Sequence, residues 1–99
     1  MDTLQIIAEP TRRQILGIIW DQELAAGEIA DRFDVTFGAV SQHLAILRDA
    51  GLVSVRRDGT RRMYVADHDT LAPYRSILET MWTNQLQHLA DMIEDEEGK

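Results

Sequence analysis

The sequence predicts a mainly α-helical chain with one β-hairpin, in the order of four helices, two strands and a last helix. Three observations predict this class. Apolar residues recur three or four positions apart before residue 50 and again after residue 70. Between these regions LVSVRR and TRRMYV alternate with period two around Asp58 and Gly59. The length of 99 residues is that of one small domain, so we expect a single domain over residues 1–99.

The first two predicted helices meet at Pro10, which fits the first turn of a helix because it has no N–H to lose. Leu4 and Ile7 lie at helical spacing before it. A stripe of apolar side chains follows in the second helix, and we expect it in the core: Ile15, Leu16, Ile19 and Trp20. A short break at residues 22–25 separates this helix from the next.

A short third helix and a longer fourth helix, at about residues 37–50, are predicted on either side of a tight turn. Thr36 is a favourable N-cap for the fourth helix, and Gly51 is placed to end it in a left-handed conformation. The apolar stripe expected in the core is Val40, Leu44 and Leu47. This is the helix-turn-helix arrangement, and the hairpin after it is a wing, so the fold class is a winged helix-turn-helix.

The hairpin is expected to turn at Asp58 and Gly59, because both central residues of the favoured tight turn need a positive φ. The last helix is expected at about residues 70–95. Pro73 must lie near its start or separate a short turn from a longer helix.

Charge is distributed unevenly, although the net charge is −7. Residues 36–64 carry five arginines and two aspartates, a net +3, whereas residues 1–35 and 65–99 carry −4 and −6. A basic segment between two acidic ones would turn one face towards DNA. The absence of cysteine excludes disulfides and thiolate metal sites, and no secretory signal or membrane span is evident, so we expect a cytoplasmic protein without membrane contact.

The face of the fourth helix opposite its apolar stripe is predicted to read bases in double-stranded DNA. Its candidate residues are Phe37, Gly38, Ser41, Gln42 and Ala45. Gln42 can pair with adenine, Ser41 can bond a base or phosphate, Phe37 can contact a thymine methyl, and the two small residues permit close approach. The alternative is a merely solvated face.

Phosphate contacts are predicted from Thr36 and from four wing arginines, Arg56, Arg57, Arg61 and Arg62. Crowded like charges repel unless an anion joins them, and arginine also suits a narrow minor groove. The alternative is a charged edge that only prevents strand pairing.

Metal binding and catalysis have little support in the sequence. His43, His68 and His88 are far apart, and His88 with Asp91 forms only a weak candidate metal site, so we expect no metal and no cofactor. A nucleophilic triad of Ser41, His43 and Asp49 fails, because Ser41 and His43 point about 200° apart on one helix. We therefore expect no enzyme.

The segments EPTRRQIL, GEIADRFDVT, AVSQHLAILRDAGLV and RRDGTRRMY resemble, in order and spacing, ArsR-type winged-helix repressors over about residues 4–66. The resemblance implies a symmetric dimer joined by the first and last helices. It also implies that two recognition helices read an inverted repeat in an operator, and that the chain represses bacterial or archaeal transcription.

The chain departs from the family pattern at several positions. Glu9 replaces the usual capping Asp, so the second helix is expected to begin more loosely. Phe37 and Gly38 replace polar or basic residues at the head of the recognition helix. The cysteine pair of metal-sensing members is absent around residues 24–27, and only His88 and Asp91 remain of the ligand pattern in the last helix. The resemblance thus points to a metal-independent member with an unknown small-molecule inducer, if it has one.

The expected dimer interface consists of apolar and polar residues from the first and last helices: Leu4, Ile7, Leu78, Trp82, Gln85 and Leu89. The alternative is that they cover only their own protomer's core. Three functions stay open: a repressor binding an inverted-repeat operator as a homodimer, a winged-helix module for protein interaction, and a repressor switched by a metal or small molecule at the dimer interface.

Overall fold

The computed structural model describes residues 1–84 of the chain. The helices are α1 (Thr3–Ala8), α2 (Pro10–Ile18), α3 (Ala26–Ala30), α4 (Phe37–Asp49) and α5 (His68–Leu71). A 3-10 turn at Ala72–Tyr74 leads into helical residues 75–84, named α6 here. The strands are β1 (Leu24–Ala25), β2 (Val53–Asp58) and β3 (Arg61–Ala66). The winged helix-turn-helix order is as predicted, with one additional short strand.

The last predicted helix is interrupted near Pro73, which lies in the 3-10 turn. This is the second of the two arrangements that proline allowed. The remainder of that helix's prediction, including Gln85, His88, Leu89 and Asp91, lies outside the described residues.

The core forms where the predicted apolar stripes of α2 and α4 face each other. Ile15, Leu16 and Ile19 are fully buried, and Trp20 packs against the same cluster. The stripe of α4 is also buried, as expected: Val40, Leu44 and Leu47. Buried apolar contacts therefore fix the position of α4 against the rest of the chain.

Two residues predicted at the dimer interface belong instead to this core. Ile7 and Leu78 both have 0% exposure within a single chain, so neither offers surface to a partner. The interface prediction is wrong for these two side chains. Leu4 is 53% exposed and Trp82 is half-buried. The Trp82 indole N–H donates to the carbonyl of Arg13 at 2.8 Å, which attaches α6 to α2.

The strands form one antiparallel sheet in the order β1-β3-β2. Strand β1 was predicted as a break, because two residues show no periodicity. It pairs with β3 through Leu24 opposite Tyr64 and Ala25 opposite Met63.

The hairpin turns one residue later than predicted. Asp58 pairs with Arg61, so Gly59 and Thr60 are the central residues of the turn. Gly59 has a φ of 67°, whereas no residue other than glycine has a positive φ among those described. Glycine first in a two-residue loop is typical of a type II′ turn. The observed register pairs Val55 with Tyr64 on the core side, whereas a turn centred on Asp58 and Gly59 would place Val55 opposite Arg62.

Candidate nucleic-acid interface

The recognition helix α4 has well-defined ends. At its start, the Thr36 hydroxyl accepts the N–H of Ala39 at 3.1 Å, which confirms the predicted N-cap. At its end, Gly51 adopts a φ of 76°, and its N–H donates to the carbonyl of Arg48 at 2.9 Å. The N–H of Leu52 donates to the carbonyl of Leu47, also at 2.9 Å. These two bonds form a Schellman motif, in which glycine avoids the strain of a left-handed residue.

The predicted base-reading residues lie on the side of α4 away from its buried stripe. Phe37 is 58% exposed, Gly38 and Gln42 are exposed, and Ser41 and Ala45 are half-buried. A Cβ placed on Gly38 would meet only the Thr36 hydroxyl, at 3.9 Å, so the first turn of α4 is open to close approach. The first turn of α4 is therefore open to a ligand on this side.

A polar cluster joins α4 to the start of α2. Arg12 is 8% exposed; its Nε donates to the carbonyl of Ile6 at 2.7 Å, and its Nη1 lies 3.3 Å from Nδ1 of His43. The same His43 nitrogen lies 3.8 Å from the Glu9 carboxylate. His43 thus packs between two polar partners, Arg12 and Glu9.

The prediction that Glu9 would leave the start of α2 loose is wrong. Its carboxylate reaches back and accepts the N–H of Arg12 at 2.9 Å, so it caps the helix. Partial burial alone would raise the pKa of Glu9. The N–H groups of Arg12 and Thr11, with the charges of His43 and Arg12, outweigh burial and lower the pKa below its ordinary value.

The four wing arginines divide between the two faces of the hairpin. Opposite residues in an antiparallel pair share a face, and successive residues alternate. Arg57 pairs with Arg62, so both lie on the face that contains Tyr64. This is the core face, since Tyr64 belongs to the buried cluster. Arg56 pairs with Met63, and Arg61 lies two residues from Met63, so these two arginines share the outer face.

A groove of about 590 Å³ separates the start of α4 from the wing. Phe37 and Ser41 line it on the helix side, and Arg61, Arg62 and Tyr64 line it on the wing side. The structure therefore brings the predicted base-reading helix and part of the arginine cluster to one continuous surface.

The outer-face arginines are both engaged by carboxylates. Arg56 Nε lies 2.8 and 2.9 Å from the two carboxylate oxygens of Glu23, and its Nη2 lies 2.8 Å from one of them. Hydrogen bonding to Glu23 and its charge raise the pKa of Arg56. Arg61 forms an ion pair with Glu28. Neither glutamate could be predicted as a partner from the sequence, because each lies 33 residues from its arginine.

A family model described as "Bacterial regulatory protein, arsR family" matches residues 9–55, which include the whole helix-turn-helix. The HTH-type transcriptional regulator Rv2034 of Mycobacterium tuberculosis is 42% identical over 92 residues, covering 93% of this chain and 86% of that protein. The chain belongs to the ArsR family. This ArsR-family chain is a DNA-binding transcriptional regulator and not an enzyme, as predicted.

A solved structure supports the same fold. The crystal structure of a possible transcriptional regulator for arsenical resistance superposes with a TM-score of 0.71 at 36% identity, covering 92% of this chain and 95% of that chain.

Two further relatives are named as an activator and a repressor of transcription. The transcriptional activator HlyU of Vibrio cholerae is 41% identical over 62% of this chain and 56% of its own length. The transcriptional repressor SdpR of Bacillus subtilis is 36% identical over 59% of this chain and 64% of its own length.

Metal ligands do not cluster within the described part of this ArsR-family chain. No group of three or more His, Asp or Glu side chains among residues 1–84 is arranged to hold a metal ion. His68 lies 3.7 Å from Asp21, and its ring stacks on Trp20 with centroids 4.6 Å apart. No helix in residues 1–84 is long and apolar enough to cross a membrane.

Proposed function

We propose that this ArsR-family chain, as one domain over residues 1–99, represses transcription in the cytoplasm by occupying an inverted-repeat operator as a homodimer. The observation that carries the proposal is the single surface formed by the open face of α4 and the core-face arginines of the wing. Repression by occupancy requires only that a bound protein exclude other proteins from the same DNA. The DNA-contacting surface is sufficient for this.

Base reading is assigned to the open face of α4. Gln42 is exposed and its amide can both accept from and donate to adenine. Ser41 lines the groove beside it, and Phe37 presents an apolar surface suited to a thymine methyl. The small residues Gly38 and Ala45 let the helix approach the base edges.

Phosphate contacts are assigned to Thr36, Arg57 and Arg62. The two arginines lie directly opposite each other, where like charges destabilise a strand pair. A phosphate between them removes that repulsion and adds charge-assisted hydrogen bonds. Arg57 and Arg62 lie on the same sheet face as Tyr64, which lines the groove opposite α4. One duplex can therefore contact the helix and the wing together.

The dimer interface is assigned to α1 and the last helix. Leu4 is 53% exposed on α1, and Ile77 is 40% exposed on α6. An isolated chain of this size covers a limited core, so apolar surface on these two helices is suited to a second copy. Two α4 helices reading successive major grooves would have to lie about 34 Å apart.

The first experiment selects bound sequences from a random duplex pool and then titrates salt. The expected result is an inverted repeat, with affinity that falls steeply as salt rises. Arg57→Ala and Arg62→Ala should each reduce the salt slope by about one, because each variant leaves one phosphate without its arginine. Arg75→Ala is the matched control, because it removes the same charge from an exposed arginine on α6.

Two outcomes would contradict the proposal. A module for protein interaction would show no duplex affinity above background at low salt. A monomer at the operator, measured by analytical ultracentrifugation of the complex, would contradict the dimer even if DNA binding is present. Transcription of a template that carries the selected site should decrease when the protein is added; an increase would indicate activation.

A further inference from the structure

The wing projects beyond its support in the sheet. Strand β1 contributes only two residues, which pair with Met63 and Tyr64 of β3. From Arg56 to Arg62 the hairpin continues as a two-stranded ribbon, and all seven residues are exposed. An isolated two-stranded hairpin is marginally stable in water. Core packing therefore does not fix the position of the tip relative to α4.

Two ion pairs connect this ribbon to one neighbouring segment. Glu23 directly precedes β1 and binds Arg56 on β2, while Glu28 lies in α3 and binds Arg61 on β3. Each strand of the wing is thus joined once to the β1–α3 segment. Two connections to one body resist both displacement and twisting of the ribbon.

Glu28 is itself held in place by the backbone. Its Oε1 accepts the N–H of Ala25 at 3.0 Å, at the start of α3, and the same oxygen binds Arg61. The carboxylate therefore has a fixed position on the helix-turn-helix unit. Arg61 is attached to that unit and not only to solvent.

The remaining wing arginines are in a different situation. No ion pair or hydrogen bond of the Arg57 or Arg62 guanidinium is present among residues 1–84. Moving Arg56 or Arg61 to a phosphate would exchange one anion for another and would leave a carboxylate unpaired beside the DNA. Arg57 and Arg62 need no such exchange.

We infer that Arg56 and Arg61 are positioning residues: through Glu23 and Glu28 they hold the wing so that Arg57 and Arg62 meet the phosphates beside the groove read by α4. The inference rests on the proposed function. It assigns to the two glutamates a role in DNA affinity although neither contacts DNA. It also divides the four arginines into two that contact phosphates and two that position the wing.

The first test compares Glu28→Gln with Asp31→Asn. Glutamine keeps an oxygen for the Ala25 N–H but loses the ion pair. Both variants remove one negative charge from neighbouring positions, which alone would strengthen duplex binding. A positioning role predicts that Glu28→Gln weakens binding to the selected operator by about twofold to fivefold, the range of one exposed ion pair. Asp31→Asn should bind at least as tightly as the wild type.

A double-mutant comparison separates positioning from direct contact. Arg61→Gln should weaken binding as much as Glu28→Gln, the double variant should be no weaker than either, and the salt slope should stay unchanged in all three. If Arg61 is a phosphate ligand restrained by Glu28, Glu28→Gln instead tightens binding and steepens the slope. That outcome overturns the inference.

The Glu23 and Arg56 pair permits a charge exchange. Arg56→Glu alone should weaken binding, and Arg56→Glu combined with Glu23→Arg should restore it to within about twofold, since the ion pair re-forms with reversed polarity. Failure of the exchange to restore binding overturns the role of this pair.

Amide hydrogen exchange without DNA provides an independent measurement. The wing amides of Glu28→Gln should exchange faster than those of the wild type and of Asp31→Asn. Unchanged exchange, with wild-type duplex binding intact, contradicts the inference alone. Loss of wild-type duplex binding would contradict the proposed function instead.

Discussion

The two elements of the DNA surface are fixed by different physical forces. Helix α4 is held by a fully buried apolar stripe and by the polar cluster around Arg12, whereas the tip of the wing is entirely exposed and is joined to the protein by ion pairs. Buried apolar contacts are not screened by salt, whereas exposed ion pairs are. The base-reading helix thus has a support that salt does not screen, whereas the support of the phosphate-binding wing weakens as salt rises.

The largest effect should come from removing a buried side chain of α4. Leu44→Ala leaves a cavity in the core and should lower the free energy of unfolding by about 2–5 kcal/mol. Urea denaturation measures it. Gln42→Ala, on the opposite face of the same helix, is the control and should change stability by less than about 0.5 kcal/mol. Similar losses in the two variants would contradict the buried position of the stripe.

Base discrimination should depend on the exposed face of α4. Gln42→Ala should reduce the preference for the selected base at its position by about 1–3 kcal/mol, because the variant cannot form the bidentate pairing. Competition between operators that differ at single positions measures it. An equal loss of affinity for every sequence would show that Gln42 contacts the backbone.

The N-cap of α4 should contribute less to the free energy of unfolding than the side chain of Leu44. Thr36→Ala removes the acceptor of the Ala39 N–H and should lower the free energy of unfolding by about 1 kcal/mol. Thr36→Ser keeps the hydroxyl and should retain most of the stability. Denaturation of both variants checks the cap, and a loss in the serine variant equal to that in alanine would contradict it.

Removing an arginine from the wing should not lower the stability, unlike Leu44→Ala and Thr36→Ala. Arg62→Ala relieves the repulsion with Arg57 across the strand pair and should leave stability unchanged or raise it by about 0.5 kcal/mol or less, although it weakens DNA binding. Thermal unfolding of the DNA-free protein tests this. A clear loss of stability would mean that the core-face arginines also support the hairpin, and the comparison of the two elements would fail.

The smallest effect concerns Glu9. Because its folded pKa lies below the ordinary value of 4.5, the carboxylate stabilises the fold above that value, and the contribution is lost as pH falls through the folded pKa. Wild type should exceed Glu9→Gln in stability at about pH 7, and the difference should shrink at about pH 3. A difference that stays constant with pH would show that the charge of Glu9 has no part in capping α2.

The structure agrees with the prediction from the sequence where it follows from local periodicity. The stripes of α2 and α4, the cap at Thr36 and the left-handed Gly51 each depend on residues within a few positions. The prediction is wrong where residues far apart in the chain determine the structure. The turn moved to Gly59 and Thr60 because the pairing of Val55 with Tyr64 fixes the register.

Pairings between residues far apart in the chain also could not be predicted from the sequence. Strand β1 exists only because β3 pairs with it, and the partners of Arg56 and Arg61 are brought close by the tertiary fold. Likewise, the burial of Ile7 and Leu78 depends on how α1 and α6 pack, which helical spacing alone does not specify.

Gly51 has a geometric consequence for the whole DNA surface. One residue with a φ of 76° separates the last turn of α4 from Leu52 and the wing. The direction in which the chain leaves α4 towards the hairpin therefore depends on two dihedral angles at a single position. A residue with a side chain at this position would be strained in the left-handed conformation, and relief of that strain would change the direction in which the hairpin leaves α4.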